Sequence, residues 1–197
     1  MKSRFVLYIC SLFITFGFVC SCNNESTPIP RQYAYPRICE FRDEYVPVNN
    51  EELNIERNKS AVIDVDSVVD NNLRWLTLFY PHCNSKLFIT INKTLCSETF
   101  NQVLENRIQR FSLNIGGNVY EQFDVENQNG FNTQILRIKS TSANPVMFIS
   151  TNNHDIIVSG TMYLQDVNAI SKPDSIAPIV DYLFQDIAHI ANTIAIK

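Results

Sequence analysis

Cys22 has the most specific chemical setting in this 197-residue chain. Val19, Cys20 and Ser21 precede it. Behind them runs an uncharged stretch, Phe5–Val19, headed by Lys2 and Arg4. A nucleophilic sulfur at that point can take a diacylglyceryl group. Small Ser21 suits a peptidase that then cuts between Ser21 and Cys22, leaving Cys22 as the new N-terminus. Cys20 fits worse, because Gly17, Phe18 and Val19 come before it. At fifteen residues, the apolar run falls short of the roughly 20 that a membrane span needs, but it suits the apolar segment of a secretory leader.

The Val-Cys-Ser-Cys end of that run resembles the lipobox of bacterial lipoproteins. The expected organisation is a leader over residues 1–21, a tether over 22–30 and one globular domain over 31–197. An uncut membrane anchor and a cut but unlipidated leader are the alternatives. Each buried methylene contributes about 0.8 kcal/mol, so several acyl chains such as palmitate hold a protein on a bilayer where one would not.

The other chemistry-bearing residues are scattered. His82 follows Pro81 at a strand end, His154 sits in a short polar link, and His189 lies in the last helix. Nothing in their spacing brings them together. Asp64 and Asp66 alternate with apolar residues, as a half-exposed strand does, and Glu121, Asp124 and Glu126 read the same way. There is no nucleophile elbow, no glycine-rich phosphate loop and no Cys/His spacing for zinc. Cys39, Cys83 and Cys96 would remain after processing, an odd number. Cys83 and Cys96 flank one predicted strand, so a bridge is open to them; the plainer reading is three small, partly buried side chains. No catalytic residue, metal or cofactor is expected.

Composition narrows the partners. Loss of Lys2 and Arg4 from the 16 basic residues leaves 14 against 20 acidic ones, a balance of −6. Phosphate binding needs clustered positive charge, so nucleic acid is not expected.

The elements follow from periodicity. Asn23–Pro30 is polar and proline-containing, as a tether is. Arg31–Val48 reads as extended segments broken by Pro36 and Pro47, and Asn49–Lys59 as a charged surface loop. Strands are predicted over Val62–Val69, Leu73–Tyr80 and Lys86–Ile91, the last with Leu87, Ile89 and Ile91 on one face. A helix fits Glu98–Leu113, with Ser97 as cap and Gly116-Gly117 as stop. Four strands follow, over Val119–Val125, Thr133–Lys139, Val146–Thr151 and Ile156–Leu164. The last helix is predicted over Asp174–Ile194, capped by Asp174 or Ser175, with Pro178 in its first turn. Short links between the late strands require antiparallel neighbours. The fold class is therefore α+β, an antiparallel sheet with two main helices packed on it.

Several of these residues together resemble the gliding-motility lipoprotein GldD family of Bacteroidota. Pro173-Asp174-Ser175-Ile176-Ala177-Pro178 matches the family's Asn-Lys-Asp-Ser-Ile-Ala-Pro helix start, and Asp186-Ile187-Ala188-His189-Ile190 its continuation. Gly160-Thr161-Met162-Tyr163-Leu164 resembles its Gly-x-Leu-Tyr-Phe strand, and Phe148-Ile149-Ser150-Thr151-Asn152 the strand before. Trp75 with Tyr80-Pro81 resembles a tryptophan-bearing strand. Thr27-Pro28-Ile29-Pro30-Arg31, then Tyr33 and Arg37-Ile38, resembles the family's start. Arg31, Tyr33, Trp75, Gly160, Tyr163, Asp174, Ser175 and Pro178 thus carry the family motifs. The resemblance implies a lipid-anchored protein of the cell envelope, on the outer membrane, that contacts other envelope proteins in a motility or secretion-linked assembly and is not an enzyme. The element order also resembles the Mog1/PsbP-like arrangement. A hydrolase or ligand-binding lipoprotein of the periplasm is the alternative.

Overall fold

A computed structural model describes residues 44–48, 53–140, 142–165 and 173–197. Ser21, Cys22, Arg31, Tyr33 and Cys39 lie outside them. Among the described residues, ten strands and two helices run in the order β1 (Tyr45–Val48), β2 (Leu53–Asn58), β3 (Val62–Asp70), β4 (Leu73–Tyr80), β5 (Ser85–Lys93), α1 (Ser97–Ile115), β6 (Tyr120–Glu126), β7 (Asn132–Ile138), β8 (Val146–Thr151), β9 (Ile156–Leu164), α2 (Pro173–Thr193) and β10 (Ala195–Ile196). Seven strands form one sheet in the order β3-β4-β5-β9-β8-β7-β6, and β1-β2-β10 form a second. Every pairing is antiparallel. This is the α+β fold that the sequence predicts.

The two helices pack on opposite faces of the large sheet. Alternation along the central strands makes this necessary, because successive side chains point to opposite sides. In β9, Ile156, Val158, Met162 and Leu164 join the core beside α2, which supplies Leu183, Ile187 and Ile190. Ile157 turns the other way, to a second core with Met147, Ile149, Leu136 and Ile138 beneath Phe100 and Phe111 of α1. The first core also takes in Val48, Leu53 and Ile55 from the small sheet.

Several boundaries differ from the sequence reading. The predicted surface loop over Asn49–Lys59 contains β2, with Leu53, Ile55 and Asn58 buried. Its apolar positions are too few to stand out among Glu52, Asn54, Glu56 and Arg57. Pairing with β1 and β10 makes it a strand, a tertiary effect. The cap of α1 is Cys96, with extended backbone and no side-chain capping bond; Ser97 is the first helical residue. Gly116 ends α1 in the left-handed region, φ 56°, and its N–H donates to Ser112 O, as predicted for that glycine. Helix α2 starts at Pro173, so Asp174 and Ser175 lie within its first turn and Pro178 in its second.

The β6–β7 hairpin fastens the far end of α2. Asn127 Nδ2 donates to the carbonyls of Ala191 (3.0 Å) and Ile194 (2.9 Å), while its Oδ1 accepts from the N–H groups of Asn129 and Phe131. Asn129 Nδ2 also donates to Ile194 O, so carbonyls otherwise left open at a helix end are satisfied by the amides of this turn.

Gly160 shows why one motif residue must be what it is. It pairs with Phe148 across β8–β9. A Cβ added there would clash with the Phe148 ring, 2.7 Å from Cζ. Phe148 is fully buried, so neither strand can give way without repacking. Gly160→Ala is expected to lower the stability measured by chemical denaturation by about 1–3 kcal/mol, the usual cost of overpacking. Phe148→Leu in that background should restore part of the loss.

Candidate functional site

Part of the large sheet is left uncovered by the described residues. On the α1 side the helix lies over β7, β8 and β9, and no described element covers β3, β4 and β5. Registered partners project to the same side, so three rows of side chains can be read across. Val62, Phe79, Lys86 and Tyr163 form one row, Val65, Thr77, Phe88 and Thr161 the next, and Ser67, Trp75, Thr90 and Ser159 the third. Trp75 is 50%, Phe88 46% and Tyr163 39% exposed. The Lys86 ammonium sits 5.8 Å from the Phe79 ring centre and 2.8 Å from Asp64 Oδ2. Asp66 and Arg74, paired at 2.6 Å, alternate with Ser67 and Trp75 and so lie on the opposite face. This platform offers aromatic faces, hydroxyls and paired charges, the make-up of a contact surface.

A second constellation is buried. Asp186 of α2, 1% exposed, accepts hydrogen bonds from Tyr45 Oη at 3.0 Å and Asn58 Nδ2 at 3.2 Å. The Tyr45 ring stacks on His189, centroids 3.4 Å apart, and His189 Nε2 lies 2.7 Å from Glu56 Oε2. Asn58 Oδ1 accepts from Ser60 N–H and Oγ. Asp186 Oδ2 and the Tyr80 hydroxyl are buried without a hydrogen bond of ordinary geometry among the described residues. Burial pushes the Asp186 carboxyl up to about 6, against the lowering effect of its hydrogen-bond donors. Burial, then the charge of Asp186, holds the Tyr80 hydroxyl well above the usual phenol range. Asp186 lines none of the cavities of 480, 400 and 330 Å³. Its bonds tie β1 and β2 to α2.

The residues singled out by sequence separate accordingly. Trp75 and Tyr163 share the platform. Gly160 belongs to the packing beneath Phe148, and Asp174, Ser175 and Pro178 to the start of α2. His82 lies in the exposed turn after β4, His154 in the exposed β8–β9 link and His189 against Tyr45. Cys83 and Cys96 are unbridged, and burial raises the Cys83 thiol to about 11. No group of three or more His, Cys, Asp or Glu among the described residues is placed to hold a metal ion. No described helix is long and apolar enough to cross a membrane. Phe88 escapes a sequence reading because the Leu87, Ile89 and Ile91 alternation assigns it to the off face. Asn58 escapes it because its segment reads as a loop.

The family model for gliding motility lipoprotein GldD matches residues 25–196. No curated protein matches the chain.

The Asp186 carboxyl binds its proton more tightly folded than unfolded. Its contribution to stability is therefore complete below about pH 3.8 and lost as pH rises through about 6, a difference of the order of 3 kcal/mol. Comparing denaturation of the wild type with Asp186→Asn between pH 4 and pH 7.5 isolates it. The wild type should lose stability relative to the variant as pH rises.

Proposed function

Because the chain belongs to the gliding motility lipoprotein GldD family, we propose that it is a non-catalytic component of a motility or secretion-linked envelope assembly, anchored through Cys22 and acting by protein contacts. The family places it in the cell envelope as a lipoprotein. Cleavage after Ser21 and acylation of Cys22 are the reading of the leader. Asn23, rather than Asp, after the cysteine suits transfer to the outer membrane. From Cys22 to Tyr45 the chain can span at most about 80 Å, at ~3.5 Å per residue. The folded part therefore meets partners close to the bilayer.

The aromatic platform carries the proposal. Trp and Tyr are the side chains that most often dominate the energetics of protein interfaces. Here Trp75 and Tyr163, both motif residues, stand with Phe88 on one uncovered stretch of sheet. The mature balance of −6 and the pairing of Lys86 with Asp64 make an anionic membrane surface a poor occupant of that face.

The test is co-purification of the tagged protein from membranes of its native host. The wild type should recover envelope proteins above an unrelated lipoprotein control. Trp75→Ala with Tyr163→Ala should lower that recovery at least tenfold without changing thermal stability. Recovery of nothing above the control refutes the contact role. Mass spectrometry of the same material should show Cys22 N-terminal and acylated, and a bare Cys22 or a retained leader refutes the anchor.

A further inference from the structure

A groove runs along the opposite edge of the large sheet, between α1 and β6. Two cavities, of 480 and 400 Å³, share Ile108, Gln134 and Ile149 and so form one channel. Leu104, Ile108, Phe111 and Ile115 of α1 line its helix side. Among the described residues, β6 is the last strand of the sheet. The Asn127 N–H donates to Phe131 O, and the Lys139 N–H to Val119 O. The pairing between those two points makes the odd-numbered residues of β6 the ones bonded to β7. Antiparallel ladders alternate, so the N–H and C=O groups of Tyr120, Gln122, Asp124 and Glu126 point outward. Their side chains share the face of Leu136 and Ile138, which lie under α1. Backbone groups ready for a further strand therefore lie beside an apolar channel. That is the geometry by which extended peptides add to a sheet edge.

The charges say what fits. One end of the channel carries Asp124 and Glu126, and no Lys or Arg lines either cavity. A second copy of β6 would set a further Asp124 and Glu126 along the same face, which like charge disfavours. We propose that β6 and this channel bind, by strand addition, an extended segment of a partner protein. Apolar side chains of that segment enter the channel, and a Lys or Arg meets Asp124 and Glu126. This surface is separate from the aromatic platform and does not depend on it.

The probe is a displayed library of random nine-residue peptides, selected on the full-length chain in detergent. Enriched peptides should alternate apolar and polar residues and keep Lys or Arg at one position. Labelled synthetic copies should bind the wild type and the Trp75→Ala variant equally. Gln122→Pro removes one outward N–H while leaving the β7 ladder intact, and should weaken binding at least tenfold. Asp124→Lys with Glu126→Lys should do the same, and decides the matter if the proline variant does not fold. No enrichment over an unrelated lipoprotein, no basic position, or full binding by the charge-reversed variant overturns the proposal. Self-association that the charge reversal abolishes would assign the edge to a second copy and overturn it too.

Discussion

Width against cover governs this fold. Seven strands spaced about 4.8 Å apart make a sheet roughly 29 Å across, while a helix is about 10 Å wide. One helix on each face cannot cover it. On one side the small β1-β2-β10 sheet adds Val48, Leu53 and Ile55 to the core beside α2. On the other side, among the described residues, α1 stands alone over β7, β8 and β9. The aromatic platform and the β6 channel are the two areas left on either side of it. Both candidate contact surfaces thus arise from a single shortage of cover.

Much of this architecture is legible in the amino-acid sequence. The alternation in β5 and β9, the apolar run of β4 and the 3.6-residue period of α2 are dictated by burial on known faces, and these elements appear where expected. The element order therefore predicts the antiparallel α+β class. Residues that act through partners distant in sequence are less legible. Leu53 and Ile55 are too few to announce a strand, and only β1 and β10 give them one. Asn58 and Asp186 are 128 positions apart, and nothing local marks either as buried. Trp75 and Tyr163 stand out only through family resemblance. Their exposure depends on where α1 stops, which no single segment encodes.

Asparagine amides do much of the joining. Asn127 links the β6–β7 hairpin to the end of α2. Asn152 Oδ1 accepts three backbone N–H groups and organises the β8–β9 turn. Asn58 connects β2 to Asp186 while accepting from Ser60. Each offers donors and an acceptor together, which suits junctions where backbone groups of both kinds lack partners. The predicted turn over Asn152–Asp155 owes its compactness to one such side chain.

Tyr45 is the first strand residue of the described fold. A force applied at Tyr45 acts on β1 at its outer end. Its ring is stacked on His189 and its hydroxyl is bonded to Asp186, both on the longest helix. Such a force would therefore pass directly into α2, and the short β1 strand would be spared from peeling away alone.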